Sequence, residues 1–296
     1  MTGQILLERT TPSIARLTID NPERKNAYDP SMRLALQEHL EDLAFDDDVK
    51  VVHLRGAGGV FSTGADMNNA YSWYGDGTSG GDGNRARRRP SQRRRLLTDR
   101  KTFQFYELLL GYPKVTVAEV AGFALGGGFE IALMADIAVV GRSTRLGMPA
   151  TRFLGPALGS LQMFFHRLGP VLTRRLLLTG DTMVADDLAH LGVFTEVVDD
   201  EMVGARATWF AEKAARMPAD GIVLAKEAFR LIEQLQAYQG ESVLSPMLHA
   251  YGTNLRFEDD EFNFVKVRAE HGTRRAFQLR DEHFDIPEPT PPPPAQ

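Results

Sequence analysis

The sequence predicts an α/β fold: a core of alternating strands and helices, followed by a region of helices alone. Two patterns carry this expectation. Short apolar runs at 14–19, 49–54, 115–120, 137–140 and 193–198 alternate with stretches of helical spacing. From about Met202 onward only helical spacing remains. Composition agrees, since 43% apolar and 25% charged residues in a chain of 296 suit a globular protein with a large core. The expected division is an α/β core over 1–201, a helical region over 202–286, and a Pro-rich tail over 287–296, disordered or extended.

Composition also narrows the function. No apolar run approaches the ~20 residues needed to cross a bilayer, and the N-terminus has no signal-peptide pattern. The absence of cysteine rules out disulfides and thiolate chemistry and argues against a structural zinc site. The expected location is the cytoplasm, with no membrane partner. A net charge of −5 argues against a general nucleic-acid binder.

The elements follow in order. Residues 5–8 and 14–19 read as strands around the turn Thr10-Thr11-Pro12-Ser13. The segment from Asp20 to Ala27 is a loop containing two cations, Arg24 and Lys25. Asp29 or Ser31 then caps a helix whose apolar positions include Leu34, Leu40 and Leu43. Asp46-Asp47-Asp48 ends that helix, and 49–54 is a buried strand entering a glycine-bearing turn, Gly56 to Met67.

From 71 to 100 the chain is rich in Gly, Asp, Ser and Asn, and then carries seven arginines: Arg85, Arg87, Arg88, Arg89, Arg93, Arg94 and Arg95. The plainer reading is a loop and a solvated basic helix start. The sharper one is a phosphate-binding patch, because guanidinium groups take phosphate bidentately. Residues 102–110 form a helix ending at Gly111-Tyr112-Pro113.

The organising stretch follows. A strand at 115–120 runs into Gly126-Gly127-Gly128, and a helix then carries Glu130 in its first turn. Three glycines at a strand-to-helix turn let a substrate lie on the backbone. The helix start offers unpaired N–H groups and a positive dipole end, suited to an anion or a developing oxyanion. A tight turn with Glu130 as a dipole partner fits the spacing equally well. Together with the turn near Gly64, two such corners can each supply one N–H to the same oxygen.

Beyond the strand 137–140, the loop 145–155 returns towards this stretch. Residues 161–168 and 173–179 are helical, 181–187 cap a short helix, and 193–198 is the last strand. Helices are expected at 205–216, 221–238, 246–256 and 262–271, and 274–280 precedes the Pro-rich end. His166 packs or hydrogen-bonds at an interface, and His190 sits at a helix end where a cation meets the dipole favourably. Neither has metal-ligand spacing, so no metal is expected. Asp136 takes a structural hydrogen-bonding role, and Asp66 a capping or turn-forming one.

Three segments, read together, resemble the crotonase (enoyl-CoA hydratase/isomerase) superfamily: Phe61-Ser62-Thr63-Gly64-Ala65-Asp66, the run from Gly122 to Leu133 with Asp136, and Gly147-Met148-Pro149. The resemblance covers about 14–284. It implies a crotonase-like spiral of ββα units with an α-helical C-terminal region, and assembly through that region as a homotrimer or a hexamer built as a dimer of trimers. It implies that Ala65 and Gly127 donate the two N–H groups that hold an acyl-thioester oxygen. Lys25, Asn26, Ala27, the loop with Asp66 and Met67, and Gly126 fall where coenzyme A is contacted. Coenzyme A enters as part of the substrate thioester, with no tightly bound cofactor.

Glu130 matches one of the two glutamates of typical hydratases, whereas the second position, after Pro149, is Ala150. The position where dienoyl-CoA isomerases carry an aspartate is Ala157. The expectation is a one-carboxylate acyl-CoA enzyme of the enoyl-CoA hydratase type. Hydrolysis and malonyl-type decarboxylation stay open, and Arg152 or the long loop is a candidate to replace the missing acid's electrostatic part. A catalytically silent acyl-CoA-binding protein is the competing reading, favoured by Ala150 and Ala157. RNA binding through the arginines is disfavoured by the acidic net charge and the lack of interleaved aromatics.

Overall fold

The computed structural model describes residues 3–69, 91–155, 159–236, 238–253, 255–258 and 261–285. Arg85, Arg87, Arg88, Arg89, Ala157 and the 287–296 tail lie outside the described residues, as do the readings attached to them.

The chain opens with β1 (Gln4–Thr11) and β2 (Ile14–Asp20), an antiparallel pair, and α1 (Pro30–Ala44). Of the two candidate caps, Asp29 accepts the Met32 amide at 2.9 Å, and Ser31 donates to Asp29. The helix buries Met32, Leu36, Leu40 and Leu43, while Leu34 faces outward. Then come β3 (Val51–Gly56), α2 (Gln92–Leu110), β4 (Val115–Val120), β5 (Phe123–Leu125), α3 (Gly127–Met134), β6 (Ile137–Gly141) and β7 (Arg145–Gly147). A kinked α4 (Leu161–Thr179), β8 (Thr182–Val184), α5 (Ala185–Leu188) and β9 (Glu196–Val198) complete the α/β part.

Strands at successive levels feed two sheets. One has the order β1-β2-β3-β4-β6-β9, parallel from β2 onward; the other is β5-β7-β8. The chain leaves β4 for β5, and β6 for β7, so each ββα unit adds a strand to both layers. This is the spiral of ββα units.

Alternation of side chains gives each sheet face its own partner. Leu17, Val52, Leu54, Ala118 and Val120 join the main core with Leu40, Leu109, Phe129 and Leu133 from α1, α2 and α3. The opposite face, Ile14, Val51, Val117 and Val139, is covered by α6 (Val203–Ala215) through Val203, Ala207 and Ala211. Each large apolar side chain so buried contributes about 1.5–3 kcal/mol.

α7 (Ala219–Leu235) and α8 (Glu241–Gly252) follow. The chain separates into two compact units, Met1–Asn254 and Leu255–Gln296. Within the first, α6 lays its alanine face on the sheet. The second unit contains α9 (Phe264–Phe284), where Phe264 and Phe277 meet at 4.9 Å between ring centroids.

The expected helices at 161–168 and 173–179 are the two halves of α4, separated at Gly169 (φ 68°) before Pro170, and Gly272 (φ 78°) divides α9 in the same way. α8 begins before Pro246 and carries it inside. β5 and β8 are too short to show a period of two.

Candidate functional site

The segment 61–66 forms the first corner of the site and is held from both sides. On one side the Phe61 amide donates to Ala121 O (2.9 Å), Ser62 N to Phe123 O (2.9 Å) and Leu125 N to Ser62 O (3.0 Å). On the other, Thr63 N donates to Lys25 O (3.1 Å), Tyr28 N to Gly64 O (2.8 Å) and Asp66 N to Tyr28 O (2.9 Å). The Ser62 hydroxyl locks the bend by donating to Asn26 O and accepting from Gly64 N.

This clamp brings the first corner against the second, at the start of α3. A Cβ on Gly64 (φ 83°) would lie 2.8 Å from the Gly127 nitrogen and 2.7 Å from Leu125 O, so only glycine allows the approach. A Cβ on Gly127 would stand 1.9 Å from the Tyr28 hydroxyl oxygen. Among the described residues the Ala65 and Gly127 amides have no hydrogen-bond partner. Two free amides therefore sit on abutting corners, one at the positive end of α3, an arrangement able to hold an oxyanion.

Glu130 lies in the first turn of α3 and is only 3% exposed. The Gly159 amide donates to its Oε1 at 2.6 Å, and the Tyr106 hydroxyl and Ser160 amide lie near enough to favour its charged form. Burial dominates these bonds and pushes the carboxyl up to about 7, with the negative charge of Glu241 acting in the same direction. Near neutral pH the group can give or take a proton. The Tyr28 and Tyr106 hydroxyls lie 3.4 Å apart. Burial pushes Tyr28 up to about 12 and Tyr106 well above its ordinary value, so both stay protonated.

The loop at 21–28 is largely self-satisfied. Asn26 is fully buried; its amide donates to Ala57 O (2.8 Å) and Val60 O (2.6 Å), and its Oδ1 accepts from Asn21 N (2.9 Å). Ala27 O accepts from the Asn21 side chain at 2.7 Å. Asp66 pairs with Arg24 and accepts the Asn68 amide and side chain, both at 2.9 Å, as a turn former would. Met67 opens a 3-10 turn, and Gly126 N donates to Gly147 O at 3.0 Å. The Lys25 ammonium, 4.1 Å from the centroid of the Phe123 ring, has no salt bridge among the described residues.

Ala150 sits in a 3-10 turn, Pro149–Arg152, half-buried against the main core. Arg152 donates to Thr179 O (3.3 Å) and pairs with Asp181 (3.7 Å). Arg95 also departs from the solvated-helix reading, being buried and donating to Thr253 and Ala250 O. Arg93 and Arg94 are exposed.

Asp136 accepts from Thr116 N (2.8 Å) and Oγ1 (2.9 Å) and pairs with Lys226 at 2.5 Å, a structural knot. His166 and His190 are exposed. Among the described residues no three His, Cys, Asp or Glu side chains gather to hold a metal, and no helix is long and apolar enough to cross a membrane.

Sequence reasoning missed Tyr28, Tyr106, Gly159, Ser160 and Glu241. Tyr28 directly follows the motif Lys25-Asn26-Ala27 and could have been noticed there. Gly159 is explained only by the Tyr106 ring, whose nearest atom would stand 2.4 Å from a Cβ. Glu241 accepts the Leu161 and Gln162 amides and so caps α4 from a distant helix.

Comparison with known proteins adds an independent finding. Residues 9–268 match the family described as Enoyl-CoA hydratase/isomerase. The chain is 26% identical over 225 residues to the 2,3-dehydroadipyl-CoA hydratase of Escherichia coli (strain K12), covering 76% of this chain and 81% of that one. It is 27% identical over 231 residues to the 1,2-epoxyphenylacetyl-CoA isomerase of the same organism, covering 78% and 83%. Among solved structures, an enoyl-CoA hydratase/isomerase from Xanthobacter autotrophicus Py2 superposes with a TM-score of 0.80 at 26% identity, covering 97% of this chain and 100% of that one.

Proposed function

The chain belongs to the enoyl-CoA hydratase/isomerase family, and from that premise we propose an acyl-CoA enzyme of the hydratase type. The Ala65 and Gly127 amides hold the thioester oxygen, and Glu130 is the single acid/base. The observation that carries this reading is the pair of unpartnered amides on touching corners, with a buried carboxylate one helical turn away.

The steps follow from that arrangement. Two N–H donors stabilise the enolate that forms when water adds at the β-carbon, and each such donor is worth about 2.7–4 kcal/mol. Glu130, poised near neutrality, takes the proton from the attacking water. Coenzyme A enters as part of the thioester, with Lys25 and the backbone around Ala27, Met67 and Gly126 as its contacts. Asn26 and Asp66 serve that surface by holding the loop. These steps use only the chain's own amides and carboxylate.

A second reading, decarboxylation of a malonyl-type thioester, is favoured by Ala150. Loss of carbon dioxide itself generates the enolate, so no second acid is needed for that step.

A homotrimer, or a dimer of trimers, is the proposed assembly, formed in the cytoplasm. Its support is the exposed apolar surface of α7 and α8, including Leu224, Phe229, Leu235, Val243 and Tyr251.

The test compares wild type with Glu130→Gln on enoyl-CoA and malonyl-CoA thioesters in heavy-oxygen water, read by mass spectrometry. Label incorporation that disappears in the variant supports hydration with Glu130 as the acid/base. Carbon dioxide release that survives the variant supports decarboxylation. Binding without turnover of any thioester would leave only an acyl-CoA-binding role.

A further inference from the structure

With Ala150 in place of the second glutamate, the hydratase reading lacks a second group to deliver a proton to the α-carbon. Two hydroxyls stand beside the proposed oxyanion corner. The Tyr28 and Tyr106 oxygens lie 1.9 and 3.0 Å from the point where a Gly127 side chain would begin, beside one of the two free amides. They are 3.4 Å from each other, and both lie close enough to Glu130 for its charge to act on them. The two tyrosines come from separate elements, the loop before α1 and the middle of α2, and both are almost fully buried. Buried hydroxyls are normally satisfied by a fixed partner. Here each is the other's partner, and the pair stands between the oxyanion corner and Glu130.

We infer that Tyr28 is a catalytic residue that protonates the α-carbon of the thioester enolate, and that Tyr106 links it to Glu130 as a positioning residue. The inference rests on the acyl-CoA reading above. In hydration, the water proton passes to the Glu130 carboxylate as the oxygen bonds to the β-carbon and the C=C electron pair moves into the enolate. The enolate α-carbon takes the Tyr28 hydroxyl proton. Tyr28 oxygen is reloaded from Tyr106, and Tyr106 from the protonated Glu130. One water is added, and every protein group returns to its starting state. In decarboxylation the same chain protonates the enolate left by carbon dioxide, and Glu130 recovers its proton from solvent.

Because each step is reversible, the chain must also exchange the α-protons of a saturated thioester. The experiment incubates butyryl-CoA with wild type, Tyr28→Phe and Tyr106→Phe in heavy water and follows deuterium uptake by mass spectrometry, alongside the dissociation constant. The expected result is loss of exchange by about 100-fold or more in both variants, with affinity changed by no more than about 3-fold. Tyr106→Phe should also move the pH dependence of residual exchange to higher pH, because Glu130 loses a neighbouring hydroxyl that favours its charged form; a packing role alone leaves the profile in place. If Tyr28→Phe does not fold, Tyr106→Phe decides.

Exchange at the wild-type rate in the variants overturns the hydroxyl chain and leaves the acyl-CoA reading intact. Wild type that binds butyryl-CoA but exchanges nothing also overturns it. Wild type that binds neither butyryl-CoA nor crotonyl-CoA overturns both.

Discussion

The Gly159 amide donates a 2.6 Å hydrogen bond to Glu130 Oε1, although 29 residues separate the two in sequence. That bond fixes which way the carboxylate points and stabilises its charged form. Burial works against it and wins, leaving the group near 7 rather than near 4.5.

A raised carboxyl has a consequence for stability. The folded state holds the Glu130 proton more tightly than the unfolded chain does. Its stabilising contribution is therefore fully present below pH 4.5 and is lost as pH rises through about 7. The loss is on the order of 3 kcal/mol. Glu130→Gln cannot ionise, so its melting temperature relative to wild type should rise between pH 4.5 and pH 8. Parallel thermal melts across that range check this, and a constant difference would refute it.

Gly127→Ala tests the contact of the two corners. Its methyl would meet the Tyr28 hydroxyl at 1.9 Å and should cost about 1–3 kcal/mol through overpacking. Adding Tyr28→Phe removes the clashing oxygen and should recover part of that stability without recovering turnover. Denaturant melts of the single and double variants measure the coupling.

Glu241 is buried and accepts two amides at the start of α4 as well as the Ser245 hydroxyl. Glu241→Gln keeps an acceptor there but removes a negative charge that raises Glu130. The acid limb of the pH–rate profile should move to lower pH, and stability should fall by about 1–2 kcal/mol. A profile that stays in place would separate Glu241 from the site.

Asp136→Asn leaves the Thr116 bonds partly formed but breaks the pair with Lys226. The expected outcome is a stability loss of about 1 kcal/mol with KM unchanged. A large rise in KM with unchanged melting would instead bring Asp136 into substrate binding.

Much of the active corner was legible from local sequence. Glycines between an apolar run and a helical pattern define a strand-to-helix turn by φ alone, and Glu130 falls in the first turn by counting. Asp29 and Asp66 act locally, through amides two or three residues away.

Other features required the folded chain. Tyr28 and Tyr106 meet across 78 residues, and Glu241 reaches Leu161 across 80. A tyrosine on a helix reads as core until the partner of its hydroxyl is known. Arg152 could not be assigned from the loop sequence, because the turn at Pro149–Arg152 decides its direction. The sequence by itself determined the α/β order, the two glycine corners and the position of Glu130, because turn chemistry and periodicity are local. Tertiary structure decided which amides remain free among the described residues, which hydroxyls lie near Glu130 and how far burial lifts its proton affinity, because those depend on groups that only packing brings together.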